Sequence, residues 1–134
     1  MIAAQEIKAV LDTLGTLGTI TVGSMPASPD AVGTVYEYGG QKPDFQFGQY
    51  GIRYEHPAFQ VAFRGDPDDY VGPRLKADIA WRYLATIKPG ALSGSISTEY
   101  LMVKPQQSPF PIIPRDANRR DKIGFNIYVD KGLS

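Results

Sequence analysis

The chain has 134 residues, 43% of them hydrophobic, which suits one domain over residues 1–134 with a single core. Its 14 basic residues balance its 14 acidic ones, so no overall charge attracts nucleic acid or an anionic membrane. The chain has no cysteine, which excludes disulfides, thiol catalysis and thiolate metal sites.

The charge is uneven along the chain. Residues 1–66 carry four basic and seven acidic side chains, and residues 67–134 carry ten and seven. This asymmetry would suit a head-to-tail contact between copies, or two different partners, although scattered surface charge also divides unevenly by chance. The N-terminal segment lacks the apolar core of a signal peptide, and no run of about 18 apolar residues occurs. We therefore expect a protein made and kept in the cytoplasm, or in a structure assembled there.

The predicted elements begin with a helix over about residues 3–14, indicated by the helical spacing of Ile7, Val10, Leu11 and Leu14. Gly15 is expected to stop it. The β-branched segment Thr19–Gly23 predicts a short strand, and the two prolines of Met25–Asp30 predict a rigid connection. A second strand over Val32–Tyr38 is expected to end at Gly39-Gly40.

Residues 41–56 form an aromatic stretch that prolines and glycines interrupt. We predict a long functional loop here, with a short hairpin as the alternative. The aromatic residues that would serve it as contacts are Phe45, Phe47, Tyr50 and Tyr54. A strand over Ala58–Arg64 follows, in which alternate apolar residues share one face.

The main helix is expected to follow Asp66–Tyr70 and to run to about Ile87. Either Asp69 caps it, or Gly72 does so with a proline in the first turn. One side carries the stripe Ala77, Ala80, Trp81 and Leu84. Leu75 and Ile79 lie on nearly the opposite side, so we expect the first helix or a neighbouring subunit to cover at least one of them.

Two further strands are predicted at Thr98–Lys104 and Lys122–Lys131, with a proline-rich spacer over Pro105–Asp121 between them. The spacer holds a polyproline-like pattern and a basic cluster that would meet carboxylates of a partner more readily than phosphate: Arg115, Arg119 and Arg120. The element order predicts a single α+β domain, a mostly antiparallel or mixed sheet of about five strands with two helices packed on it. The expected core contains Trp81, Leu84, Phe63, Phe125 and Ile127.

The sequence offers no credible active site. His56 is the only histidine, and its place beside a proline favours a surface or hinge residue. Helix capping accounts for the acidic run at Asp66–Asp69 without a metal, and Gly15–Gly18 lacks the residues of a phosphate loop. We therefore expect no enzyme, no cofactor and no metal.

A series of short motifs in fixed order carries a resemblance over about residues 25–129: MPASPD (Met25–Asp30), EYGG (Glu37–Gly40), PAFQVAFRG (Pro57–Gly65), KADIA (Lys76–Ala80) and QSPFPI (Gln107–Ile112). In this series the chain resembles the minor capsid protein family of tailed bacteriophages, which is similar to the tail terminator proteins of long-tailed phages. Ile112–Arg115 replaces an expected glycine-containing turn, and Gln41–Glu55 is longer than usual.

The resemblance implies an α+β domain that forms a homohexameric ring at the head-proximal end of the tail. The ring would stop polymerisation of the tail tube and present a docking surface to the head connector, while DNA passes through its lumen without sequence-specific binding. Aromatic residues and arginine are enriched at protein interfaces. The candidate interface residues are therefore Phe45, Phe47, Tyr50, Tyr54, Leu75, Ile79, Phe110, Arg115, Arg119 and Arg120.

Two alternatives belong to other classes of protein. A nucleic-acid-binding module could stack bases on the loop aromatics and bind phosphate with the arginines, although the neutral charge opposes this. A small-ligand or enzyme domain could use a pocket beside Trp81, but no polar constellation supports it. Self-association distinguishes the ring from both alternatives, because only the ring requires it.

Overall fold

The computed structural model describes residues 3–45, 52–86, 100–112 and 115–132. Within these ranges the chain forms two helices and six strands in the order α1 (Ala3–Asp12), β1 (Ile20–Val22), β2 (Val32–Phe45), β3 (Ile52–Pro67), α2 (Val71–Thr86), β4 (Tyr100–Pro105), β5 (Phe110–Ile112) and β6 (Arg120–Gly132). The predicted α+β class with two helices is confirmed.

The strands form one mixed sheet in the order β1-β2-β3-β6-β4, with β5 also paired to β6. β1 runs parallel to β2, and all other pairs are antiparallel. β4 pairs with the second half of β6 and β5 with its first half, so the two short strands follow each other along the same side of β6. The sheet therefore has one strand more than the sequence predicted.

Both helices lie on one face of this sheet. α1 packs on β1 and β2, and α2 packs on β3, β6 and β4. The alternate residues that face the helices are fully buried: Phe59, Val61 and Phe63 on β3, and Ile123, Phe125, Ile127 and Val129 on β6. Each such side chain contributes about 1.5–3 kcal/mol when it leaves water. Trp81 is half-buried against this cluster, and Leu84 is buried within it, so the predicted core is confirmed.

The described parts of the aromatic stretch, residues 41–45 and 52–56, pair with each other as two strands. This agrees with the predicted alternative, a hairpin, and the prediction of a long loop is wrong. β2 does not end at Gly39-Gly40 but continues to Phe45, paired with β3 across several register shifts. Bulges let a strand absorb glycines and a proline that would otherwise end it, above all where one side of the strand is unpaired. Gly40 is one such adaptation, since a Cβ there would overlap the carbonyl oxygen of His56. Residues 46–51, the predicted hairpin tip, lie outside the described residues.

The helix ends follow local rules. α1 ends at Asp12, and Gly15 in the turn behind it has a φ of 70°, which favours glycine. At the start of α2, the Asp69 carboxylate accepts a hydrogen bond from the Gly72 amide at 3.0 Å, while Pro73 is buried in the first turn. The prediction that Asp69 caps the helix is therefore confirmed.

The segment over Pro105–Asp121 is more than a spacer. It contains β5, whose Phe110 and Ile112 flank Pro111 opposite Ile123 of β6. Proline is tolerated at this place because β5 is a short strand that pairs on one side, among the described residues, with β6. The polyproline-like pattern begins in this strand, and its second proline lies outside the described residues.

Candidate assembly surfaces

The outer side of α2 carries an apolar stripe exposed to solvent. Val71, Leu75 and Ile79 are 63%, 57% and 43% exposed, and they recur at every fourth residue. We call these three residues the α2 stripe. α1 does not cover them, because it lies on β1 and β2 and not beside this side of α2. A helix that is apolar on two sides is normally covered on both, yet no element among the described residues covers the α2 stripe.

Charged side chains border the α2 stripe. The Arg82 guanidinium donates to Asp78 at 2.9 Å across one helical turn, in an exposed pair that contributes about 0.2–1 kcal/mol. α2 also carries Arg74 and Lys76, so its three basic residues outnumber one acidic residue and its net charge is +2. The stripe is therefore an apolar strip on a basic helix.

The face of the sheet opposite the helices carries a second exposed surface. Its central residues are Tyr36 and Tyr38 on β2, Gln60 on β3, and Asn126 and Tyr128 on β6. We call these five residues the tyrosine face. They form two rows across the sheet. In one row Tyr36, Gln60 and Asn126 are neighbours on adjacent strands, and in the other Tyr38 and Tyr128 lie on either side of Ala58. The amide of Gln60 donates to the Asn126 side-chain oxygen at 3.3 Å.

The tyrosine face combines apolar aromatic rings with polar hydroxyl and amide groups. Ala58 is buried beneath its tyrosines, whereas Tyr38 stays 42% exposed. Burial raises the pKa of Tyr38, and the nearby Tyr128 adds to that rise, so the Tyr38 hydroxyl remains a protonated hydrogen-bonding group. A shallow cleft of about 360 Å³ opens beside them, lined by four of the five residues and by Glu37. The alternation of tyrosines with buried residues on β2 and β6 is a sequence signal for this surface, but that pattern alone does not show which face of the sheet the helices cover.

One end of this sheet face is closed by the connection between β1 and β2. Arg64 donates from Nε to the carbonyl of Asp30 at 2.9 Å, and from a terminal nitrogen to those of Pro26 and Pro29 at 2.6 and 2.8 Å. Burial lowers the pKa of Arg64, and the neighbouring Arg120 lowers it further. The predicted rigid connection is thus held by a buried guanidinium as well as by its prolines.

Arg120 helps to hold the same connection. Its guanidinium donates to the Ala27 carbonyl at 2.9 Å, to the Asp30 carboxylate at 3.0 Å and to the Asp116 carboxylate at 2.7 Å. Bonds from the Arg120 backbone and side chain hold the pKa of Asp116 below its ordinary value. From the sequence we predicted that Arg120, like Arg115 and Arg119, contacts carboxylates of a partner. The structure instead buries it and binds it within the chain, because its partners come from a segment some 90 residues away.

The two other arginines of that group are exposed but paired. Arg115 lies 3.0 Å from Asp68 and 3.1 Å from Asp121, and Arg119 lies 3.3 Å from the second oxygen of Asp68. The amide of Asp68 also donates to the Arg119 carbonyl at 2.9 Å. Aspartates therefore neutralise these arginines, which disfavours a phosphate-binding role.

The aromatic candidates are distributed differently. Phe45 and Tyr54 lie on the β2–β3 hairpin, while Phe47 and Tyr50 lie outside the described residues. Phe110 is half-buried in β5, opposite Gly124 of β6. The candidate residues that the structure describes therefore do not lie at one site. They are spread over the β2–β3 hairpin, α2, β5 and the turn before β6.

His56 takes part in a polar cluster across three strands. Its Nδ1 lies 2.5 Å from the Asp130 carboxylate, which the Lys104 ammonium also contacts at 3.1 Å. Burial acts to raise the pKa of Asp130, but the bonds from His56 and Lys104 outweigh it and lower that pKa below the ordinary value. The arrangement ties β3, β6 and β4 together.

Neither a metal site nor a membrane span is found in the part of the chain that the structure describes. No group of three or more histidine or acidic residues there could hold a metal ion. Among the same residues, neither helix has the length and apolarity needed to cross a membrane.

Comparison with known proteins places this architecture in a family. A family model described as bacteriophage tail terminator protein matches residues 10–130. The chain belongs to the bacteriophage tail terminator family. The match spans the whole sheet apart from the end of β6, together with α2 and the end of α1. The family consists of structural tail proteins, so the chain is a virion tail component that contacts other tail or head proteins. No curated protein matches the chain.

Proposed function

We propose that this tail terminator forms a homohexameric ring at the head-proximal end of the tail tube. There it ends tube polymerisation and offers the head connector a docking surface. Membership of the tail terminator family supports this proposal, and so does the chemistry of the exposed surfaces. The paired arginines suit a ring through which DNA passes without sequence-specific binding.

The α2 stripe is the observation that carries self-assembly. Its three aliphatic side chains stay exposed on a helix whose other side is fully buried in the core. Covering side chains of this size contributes roughly 1.5–3 kcal/mol for a complete transfer from water, and about half of that for residues that are already half-covered. A neighbouring copy that covers the stripe would therefore gain a few kcal/mol from these residues alone.

The loops would supply the contacts to other proteins. We assign the hairpin aromatics Phe45, Phe47, Tyr50 and Tyr54 to the tube or the connector, together with Phe110, Arg115 and Arg119. Aromatic side chains bring large contact areas with few rotatable bonds, and an arginine can exchange an exposed aspartate for a partner carboxylate at little cost.

Tail length tests the proposal directly. Tails assembled from a phage that lacks this gene should be longer than normal and variable in length by electron microscopy, and should fail to join heads. Adding the purified protein early should restore uniform tails, because a cap stops growth of the tube. Tails of normal length that join heads without the protein would refute the proposal.

A matched pair of variants connects this result with the α2 stripe. Ile79→Asp should abolish ring formation, since the carboxylate would be buried without a partner at a cost of roughly 2 kcal/mol or more. Its melting temperature should stay near the parent's, because Ile79 is exposed in the single chain. Thr16→Asp adds the same charge to an exposed turn outside α2 and should leave both properties unchanged. Light scattering and restored tail length measure the two effects.

A further inference from the structure

The outer edge of β2 is open over most of its length. β1 pairs only with Gly33–Val35, whereas β2 continues along β3 far beyond them. After β1, Gly23 turns the chain away at a φ of 87°. Among the described residues, no strand pairs with this edge of β2 beyond Val35, and residues 37–40 are exposed. We call the open edge over Tyr36–Gly40 the β2 step.

The β2 step presents backbone groups that no described residue pairs with. The Val35 carbonyl accepts from the Gly23 amide on the outer side, at 3.0 Å. Alternate residues of a strand turn their N–H and C=O groups to the same side, so those of Glu37 also point outward. The Glu37 carboxylate is engaged elsewhere, since its Oε1 accepts from the Ala4 amide at 3.3 Å. Outward backbone groups of an extended chain are complemented best by a second extended chain.

The residues of the β2 step do not oppose such pairing. Lysine and proline commonly protect the edge of a sheet, but Tyr36–Gly40 contains neither. Gly39 is not required by the fold, because a Cβ there would have nothing within 4 Å and its φ is not positive. Glycine within a strand often marks a place where another backbone approaches closely. The open space beside Gly39 therefore suits an incoming chain.

The shape of this edge admits one extended segment. β1 lies one strand spacing, about 4.8 Å, further out than β2, so the open part of β2 forms a step beside the end of β1. A second copy placed edge to edge at the same level cannot fill the step, because its β5 lies in line with its β4 and would meet β1. A single strand of about five residues, the usual strand length, fits without this collision.

We infer that the β2 step binds one extended segment of another protein of the tail or head, which adds to this sheet as a strand. The segment exchanges backbone hydrogen bonds with Glu37, and its side chains lie beside Tyr36 and Tyr38 as cross-strand neighbours. The inference deepens the proposed function and rests on it for the place of the partner in the virion. Family membership supports a partner of this kind, because tail terminators contact other tail or head proteins.

Amide hydrogen exchange at single-residue resolution tests the inference on the parent chain. In the purified protein the Glu37 amide should exchange fast, while the amides of Tyr36 and Tyr38, which face β3, should exchange slowly. In tails that are joined to heads, the Glu37 amide should become as slow as its two neighbours. Fast exchange in those tails would overturn the inference. Slow exchange already in the purified protein would also overturn it, because a second copy would then fill the step.

A matched pair of variants isolates the backbone bond. Glu37→Pro and Glu37→Ala both lose the carboxylate, but only the proline variant loses the outward N–H. Proline is tolerated where the N–H of an edge strand faces solvent, so both variants should fold. When the two are supplied in equal amounts, Glu37→Pro should be lost from tails relative to Glu37→Ala, and equal incorporation would contradict the inference. If Glu37→Pro does not fold, the exchange of the parent chain decides.

These outcomes separate the inference from the proposed function. Tails of normal length in which the Glu37 amide exchanges fast would remove the inference and leave the cap intact. Tails whose length does not depend on the protein would refute the cap, whatever the exchange of Glu37.

Discussion

Replacing Arg64 with methionine tests how the connection between β1 and β2 is held. The buried guanidinium donates three hydrogen bonds, to the carbonyls of Pro26, Pro29 and Asp30. A typical intramolecular bond contributes about 1 kcal/mol net, and bonds from a charged donor contribute about 1.5–3 kcal/mol. Water can reach the carbonyls of this surface connection once the guanidinium is gone, which favours the low value. We therefore expect Arg64→Met to lower the free energy of unfolding by about 3 kcal/mol.

Urea unfolding, followed by circular dichroism, measures this loss. The matched control is Arg82→Met, which removes an exposed arginine from a pair on the surface of α2 and should cost less than about 1 kcal/mol. Hydrogen exchange adds a local readout, because amides of residues 23–31 should lose protection in Arg64→Met while those of β6 keep theirs. If the two variants were equally stable, the bonds of Arg64 would contribute nothing, and the prolines alone would fix the connection.

Three further predictions concern the hairpin and the polar cluster. Gly40→Ala should clearly lower the melting temperature, because the added Cβ would overlap a carbonyl oxygen across the hairpin. Gly39→Ala should not, because the space around Gly39 is open. Equal melting temperatures of the two variants would contradict this. The lowered pKa of Asp130 means that its stabilising effect is present above the ordinary aspartate pKa and lost as pH falls through the lowered value. The stability gap between the parent and Asp130→Asn should thus narrow in acid, and a constant gap from pH 7 to pH 2 would refute the linkage. Changing Phe45 and Phe47 together to alanine should leave the melting temperature nearly unchanged and abolish incorporation into tails; a large fall in melting temperature with normal incorporation would assign these aromatics to the core.

Local periodicity was enough to predict both helices and the strands that form the core. The spacing of Ala77, Ala80 and Leu84 identifies the buried side of α2, and it also places Leu75 and Ile79 on the outer side. Periodicity predicts these positions because each side chain faces either the sheet or the solvent.

The failures have a different origin. Gly39-Gly40 is locally a strand terminator, yet pairing with β3 carries β2 past it. A proline within a segment argues against a strand, but one-sided pairing with β6 makes β5 possible. Arg120 looks like a surface arginine because its bonds reach across more than half of the chain, to Ala27 and Asp30. None of these interactions is encoded within a short window of sequence.

Because α2 buries one side and exposes the other, substitutions that affect folding and substitutions that affect the choice of partner fall on different residues. Substitutions on the side of Ala77 and Leu84 alter the core and are limited by stability, whereas the exposed stripe can change with little effect on the folded chain. In the ring proposed here, a few exchanges among Val71, Leu75 and Ile79, matched by changes on the neighbouring copy, would give an assembly that excludes the subunits of a related phage in the same cell. Repulsive or ill-fitting side chains would then discriminate against the wrong subunit without weakening the domain that carries them.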